Sequence, residues 1–174
     1  MAGLLLEEVL DMRLLILAVL LTSCGCENTE YYNTRFDKQF IGEEFQPLYD
    51  EYKVAMTEHG YDTNQALRIA NIHFVDKFED PTTLASCSII GYMSHTIRWQ
   101  ITVSKEDWKG SGPWTHKAVL FHELTHCVFG LDHSKIPGSI QNAYLSVREE
   151  SWKNNWTHKV EELFLFIKNK GVED

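Results

Sequence analysis

The run Phe121-His122-Glu123-Leu124-Thr125-His126-Cys127-Val128-Phe129-Gly130-Leu131-Asp132-His133 carries the residue types and spacings best suited to chemistry. His122 and His126 are four apart, so on a helix they stand one turn apart on the same face. Two imidazoles so placed can each give a ring nitrogen to one Zn²⁺ at about 2.0–2.1 Å. Glu123, beside the first histidine, can take a proton from a water activated by such an ion. Gly130 can adopt the left-handed conformation that stops a helix, which lets the chain turn and return His133 as a third ligand. Three protein ligands leave a position open for water, whereas structural zinc sites are usually closed by four. The preceding run supports a helix here. Trp114, Ala118 and Phe121 fall at helical spacing, and Pro113 suits a first turn.

Over these residues the chain resembles the zinc-dependent metallopeptidases called metzincins, above all matrixin-like and related bacterial lipoprotein forms. Gly130-Leu131-Asp132-His133-Ser134 and Ile136-Pro137 resemble the matrixin segment after the zinc helix, and the likeness runs from about Ile97 to Tyr144. It implies His122, His126 and His133 as zinc ligands and Glu123 as general base. The chain departs from the family pattern twice. One extra residue precedes Gly130, which rotates the later residues by about 100° unless a π-type bulge or a longer last turn absorbs it. Asp132, at the family's usual ligand spacing, is therefore an alternative to His133. The second departure is Gln141, which stands where the family's Met-turn methionine is expected, because all four methionines precede the motif. Tyr144, three residues on, is a candidate to stabilise a developing oxyanion. The His-Glu-Leu-Thr-His pentapeptide also resembles that of thermolysin-type peptidases. On that pattern Glu149 or Glu150 would supply the third ligand.

Several elements must position these groups. Phe45, Leu48, Tyr52, Ala55 and Met56 predict a helix over 43–59, with Gly60 as its stop. Residues 71–78, 84–93 and 96–103 read as strands, the last alternating Ile97, Trp99, Ile101 and Val103. Residues 105–113 read as a loop, followed by the helix carrying the histidines. Ser146-x-x-Glu149 reads as a capping box. A final helix to Lys170 would bury Trp152, Trp156, Val160, Leu163, Phe164 and Ile167 on one face, with Gly171 as its stop. This order predicts an α+β fold, a small mixed sheet packed on a central zinc-binding helix with N- and C-terminal helices. By the resemblance, the strand around Ile97–Val103 is a candidate sheet edge for pairing with an extended peptide. His59, His73, His95, His116 and His158 are scattered and read as surface or core residues.

The chain has 174 residues, of which 44% are hydrophobic and 24% charged, with net charge −9. That composition excludes wholesale disorder, and an acidic chain without a basic run is a poor candidate for nucleic acid. Met12 to Cys24 forms a second pattern. One positive charge at Arg13 precedes an apolar run too short to span a bilayer, then Leu21-Thr22-Ser23-Cys24, which resembles a bacterial lipobox. Glu7, Glu8 and Asp11 do not suit a signal segment, so Met12 is the expected start. The expected organisation is a signal segment over 1–23, a tether over 24–40 and a zincin-like domain over 41–174. Removal of 1–23 leaves 22 acids and 15 bases, a net −7. The lipobox implies a lipid on Cys24, with Gly25 directing the protein to the outer membrane of a bacterial cell envelope. In an oxidising compartment Cys87 and Cys127 can pair and pin a strand to the zinc helix. The expected function is zinc-dependent endopeptidase. The competing expectation is a non-catalytic zinc-binding lipoprotein serving as a binding or scaffold module.

Overall fold

Apolar residues recurring every three or four places bury one face of helix α1 (Gln46–Glu58), through Tyr49, Tyr52, Ala55 and Met56. Pro47 sits in its first turn, where a missing N–H costs no helical bond, and Gly60 follows the helix at φ 85°. The computed structural model describes residues 39–171 except 94–95, 144 and 146–147. The expected signal segment over 1–23, Cys24, Cys26, His95, Tyr144 and Ser146 lie outside the described residues. The described elements belong to one unit, Lys38–Asp174.

A two-residue strand, β1 (Phe40–Ile41), precedes α1, and a 3₁₀ turn over Thr63–Arg68 follows it. Asp62 opens that turn by accepting the Asn64 N–H at 2.9 Å. Three strands come next: β2 (Ile69–Val75), β3 (Ala85–Met93) and β4 (Thr96–Ser104). Their order in the sheet is β1-β2-β4-β3. β1, β2 and β4 run parallel, and β3 runs antiparallel to β4. Here the expectation for the edge strand is corrected. The β3–β4 hairpin returns β4 to the slot beside β2, so Ile97–Val103 is interior and Ala85–Met93 forms the edge. Ile101 and Val103 on one face of β4, and Ser104 on the other, are buried, as an interior strand requires.

The stretch read as a loop also differs. Lys105–Gly110 is a short helix, α2, because Ser104 caps it and Glu106 and Asp107 favour its first turn. Helix α3 (Pro113–Phe129) is buried nearly all round, which makes it the centre of the domain. The sheet, α1 and the last helix, α4 (Glu149–Asn169), pack against it. Tyr52, Phe121 and Trp156 interlock edge to face, with Tyr52–Phe121 and Phe121–Trp156 centroids both 5.0 Å apart. Among the described residues no helix is long and apolar enough to cross a membrane.

Candidate metal centre

Helix α3 ends at Gly130, whose φ of 64° and ψ of 27° are left-handed and whose N–H bonds the His126 carbonyl at 2.9 Å. The extra residue before this glycine is absorbed by carrying the helix on to Phe129, with no π-type bulge. The chain then doubles back. His126 Nε2 lies 3.0 Å from His122 Nε2, and His133 Nε2 lies 3.2 Å from the same atom. His122, His126 and His133 form a group whose nitrogens all lie within 4.8 Å of one another.

Backbone carbonyls set the tautomers of the two helical histidines. His122 Nδ1–H donates to the Ile140 carbonyl at 2.8 Å, and His126 Nδ1–H donates to the Leu131 carbonyl. Each neutral ring therefore presents a bare lone pair at Nε2. Burial, followed by the neighbouring rings, lowers the His122 pKa to about 4. Burial also lowers that of His126, so both rings are neutral at pH 7. Two unprotonated nitrogens at hydrogen-bond distance share no proton, and a cation between them removes their repulsion. Their separations also suit nitrogens each about 2.0–2.1 Å from one ion. By the chemistry of this donor set, the residues fit a divalent metal ion.

The turn over 139–142 reaches His122 and His126 directly and His133 through the next residue, Ser134. Ile140 supplies the carbonyl for His122. The Gln141 carbonyl accepts the N–H of Ser134, the residue after His133, at 2.7 Å. The Gln141 side chain reaches His126, with its amide nitrogen 3.1 Å from Nδ1 and 3.0 Å from Nε2. An atom so nearly equidistant from both ring nitrogens stands over the face of the imidazole, because in the ring plane it would collide with Cε1. Gln141 is fully buried.

Glu123 is 7% exposed, and burial raises its carboxyl to about 7, opposed in part by the backbone N–H of Cys87. Two clefts meet at Glu123 and His133. One of about 520 Å³ is lined by Leu84, Val119, His122 and Leu145, and the other, about 370 Å³, by Cys87, Trp99, His126 and Asp132. Cys87 on the edge strand is joined to Cys127 on α3, with Cα atoms 5.8 Å apart. The disulfide ties the strand that lines the second cleft to the residue after His126.

Asp132 is exposed and outside the ligand group, although its charge is felt at His126. Glu149 does other work. Its carboxylate accepts the Trp114 and Thr115 N–H groups at 2.7 and 3.0 Å and the Thr115 hydroxyl at 2.7 Å, capping α3 at the end opposite the histidines. Helix α4 starts after Arg148, which makes no side-chain cap, and the Ser146 of the expected capping box lies outside the described residues. Glu150 is an exposed residue that accepts a bond from Asn154 at 3.3 Å. His116 stacks on Trp108 with ring centroids 3.8 Å apart, and His59 stacks on Phe164 at 4.5 Å. The carbonyls of Ile140 and Leu131 have no signal in sequence, since every residue has a carbonyl. Glu149 stands out in sequence only as a candidate ligand, and no pattern in the letters marks it as the cap of a helix 34 residues earlier.

Comparison with protein-family models, with curated proteins and with solved structures gives no match to this chain.

Proposed function

We propose that the protein is a zinc-dependent endopeptidase. The observation that carries this reading is the three-histidine group with a buried carboxyl beside it, opening on two clefts. Three imidazole ligands with an open position match catalytic zinc. When bound, the ion supplies Lewis acidity, lowering the pKa of water toward neutrality and polarising a carbonyl. Glu123 takes the proton of the attacking water on a carboxylate oxygen and then delivers it to the leaving amide nitrogen. A buried carboxyl next to the first histidine, shielded from bulk water, suits both halves of that transfer. Leu131 and Ile140 hold the ligand rings in orientation through their carbonyls. The two clefts on either side of Glu123 accommodate the chain on both sides of the scissile bond. Among the described residues no strand lies on the outer side of β3 (Ala85–Met93), and an extended peptide can pair along that edge.

The lipobox supports a further part of the proposal, that the protein is anchored in a bacterial cell envelope by lipid on Cys24, with peptide or protein substrates and no nucleic acid. Mass spectrometry of the membrane fraction, with and without Cys24→Ala, checks the lipid directly.

Zinc per chain should be close to one in the parent and much lower in His133→Ala, and the parent should cleave members of a broad peptide library in a chelator-sensitive way. A zinc-loaded parent that cleaves nothing transfers the site to a binding or scaffold role. A folded parent that takes no zinc ends both readings.

A further inference from the structure

The turn beneath the histidines buries a polar group where an apolar one would pack. Gln141 has no solvent exposure, and its Oε1 is buried with no hydrogen-bond partner among the described residues. The rest of the residue is fully engaged: its N–H donates to Ser139 Oγ at 3.2 Å and its carbonyl accepts from Ser134 at 2.7 Å. Its amide nitrogen sits over the His126 ring, 3.0 Å from the nitrogen that faces His122. An unpaired buried carbonyl weakens a fold, and a thioether or aliphatic side chain of similar length would fill the same space without that penalty. A carboxamide kept in this place over the His126 ring therefore points to a role at the histidines rather than in packing.

We propose that Gln141 is a positioning residue of the metal site, whose carboxamide clamps the His126 ring from its face. The inference rests on the metal-binding part of the function proposed above. Leu131 holds His126 at the ring edge and Gln141 holds it at the face, so the two fix both the tilt and the direction of its lone pair. Removing the clamp lets the ring rock in the apo protein, and the ion must then order it on binding.

The test compares Gln141→Met and Gln141→Leu with the parent by two measurements of opposite expected sign. Thermal unfolding of the metal-free proteins should show midpoints equal to the parent's or raised by roughly a few degrees, because an unsatisfied amide has gone. Zinc affinity, measured by competition with a chromophoric chelator, should fall by about tenfold or more in both variants. The visible absorption of the Co²⁺-loaded variants should also differ from the parent's. Zinc affinity within twofold of the parent in both variants overturns the proposal. So does a lower midpoint in the metal-free variants, which makes Gln141 a structural residue whose loss weakens the site only indirectly. Peptide cleavage is scored separately. A zinc-loaded parent without cleavage ends the peptidase reading and leaves the affinity comparison standing, whereas unchanged zinc affinity ends the Gln141 proposal and leaves the peptidase reading standing.

Discussion

His122 and Glu123 are neighbours that one cause pushes in opposite directions. Burial lowers the imidazole to about 4 and raises the carboxyl to about 7, favouring the neutral form of each. In the metal-free protein the linkage signs therefore oppose. Between the ordinary carboxyl value of 4.5 and the folded value of about 7, rising pH ionises Glu123 in the unfolded chain first, so stability is lost. Between 6.5 and about 4, falling pH charges His122 in the unfolded chain first, so stability is again lost. Glu123→Gln removes only the first effect. Urea unfolding of the metal-free proteins should show the variant gaining on the parent by about 3 kcal/mol between pH 4.5 and pH 8. An equal difference at the two pH values would mean that Glu123 does not titrate from a desolvated position. In the zinc-loaded protein the same variant should keep its metal while kcat falls by about 10²–10⁴. Full turnover by Glu123→Gln would remove the residue from the mechanism. The three histidines are legible in sequence because imidazoles at helical and return spacing are rare letters. The acceptors that fix their tautomers are not, since Ile140 and Leu131 act through carbonyls.

Two connections between elements hold the histidine helix in place, and each can be cut singly. Glu149 of α4 caps the first turn of α3, and it fits only because Gly112 has no side chain. A Cβ on Gly112 would lie 2.5 Å from the Glu149 carboxyl carbon. Gly112→Ala and Glu149→Ala should each destabilise by about 1–2 kcal/mol, with little further loss when combined, since both remove the same cap. Additive losses in a double-mutant cycle would show that the glycine matters for another reason. The Cys87–Cys127 link closes a loop of 40 residues between the edge strand and α3. Its loss in Cys87→Ala/Cys127→Ala should lower the unfolding free energy by about 4 kcal/mol on chain-entropy grounds. An unchanged denaturation midpoint would refute that figure. The elements themselves are largely readable: the apolar rhythm of α1 and α4 and the alternation in β4 are strong periodic signals. Strand order is not, because alternation reports that one face is buried and says nothing of which neighbour lies alongside. Only the family resemblance implies Ile97–Val103 as the edge, and Ala85–Met93 occupies it. Helix α2 is hidden by Gly110 at its end and Gly112 just beyond it, which dominate the reading of a short segment.

At the scale of the whole domain, the α+β class follows from the alternation of helical and strand periods along the chain, and the structure agrees. A metal held by the three histidines would join this architecture as a ligand of the folded state. Free zinc at about 100 times its dissociation constant should add about 2.7 kcal/mol to stability, and chelation should return the melting temperature to that of the apo protein. A melting temperature indifferent to chelator would show that no ion is held by the native state. The position of the ligands along the chain has a temporal consequence as well. His122, His126 and His133, with the Ile140, Leu131 and Gln141 groups that hold them, lie in one continuous stretch of sequence. Such a stretch closes on itself by short loops, ahead of the long-range pairing of the sheet. At the proposed metal site, capture of an ion would belong to the early steps of assembly, so that zinc present during refolding should accelerate the return of native structure, whereas zinc added after the sheet has formed should only deepen the minimum already reached.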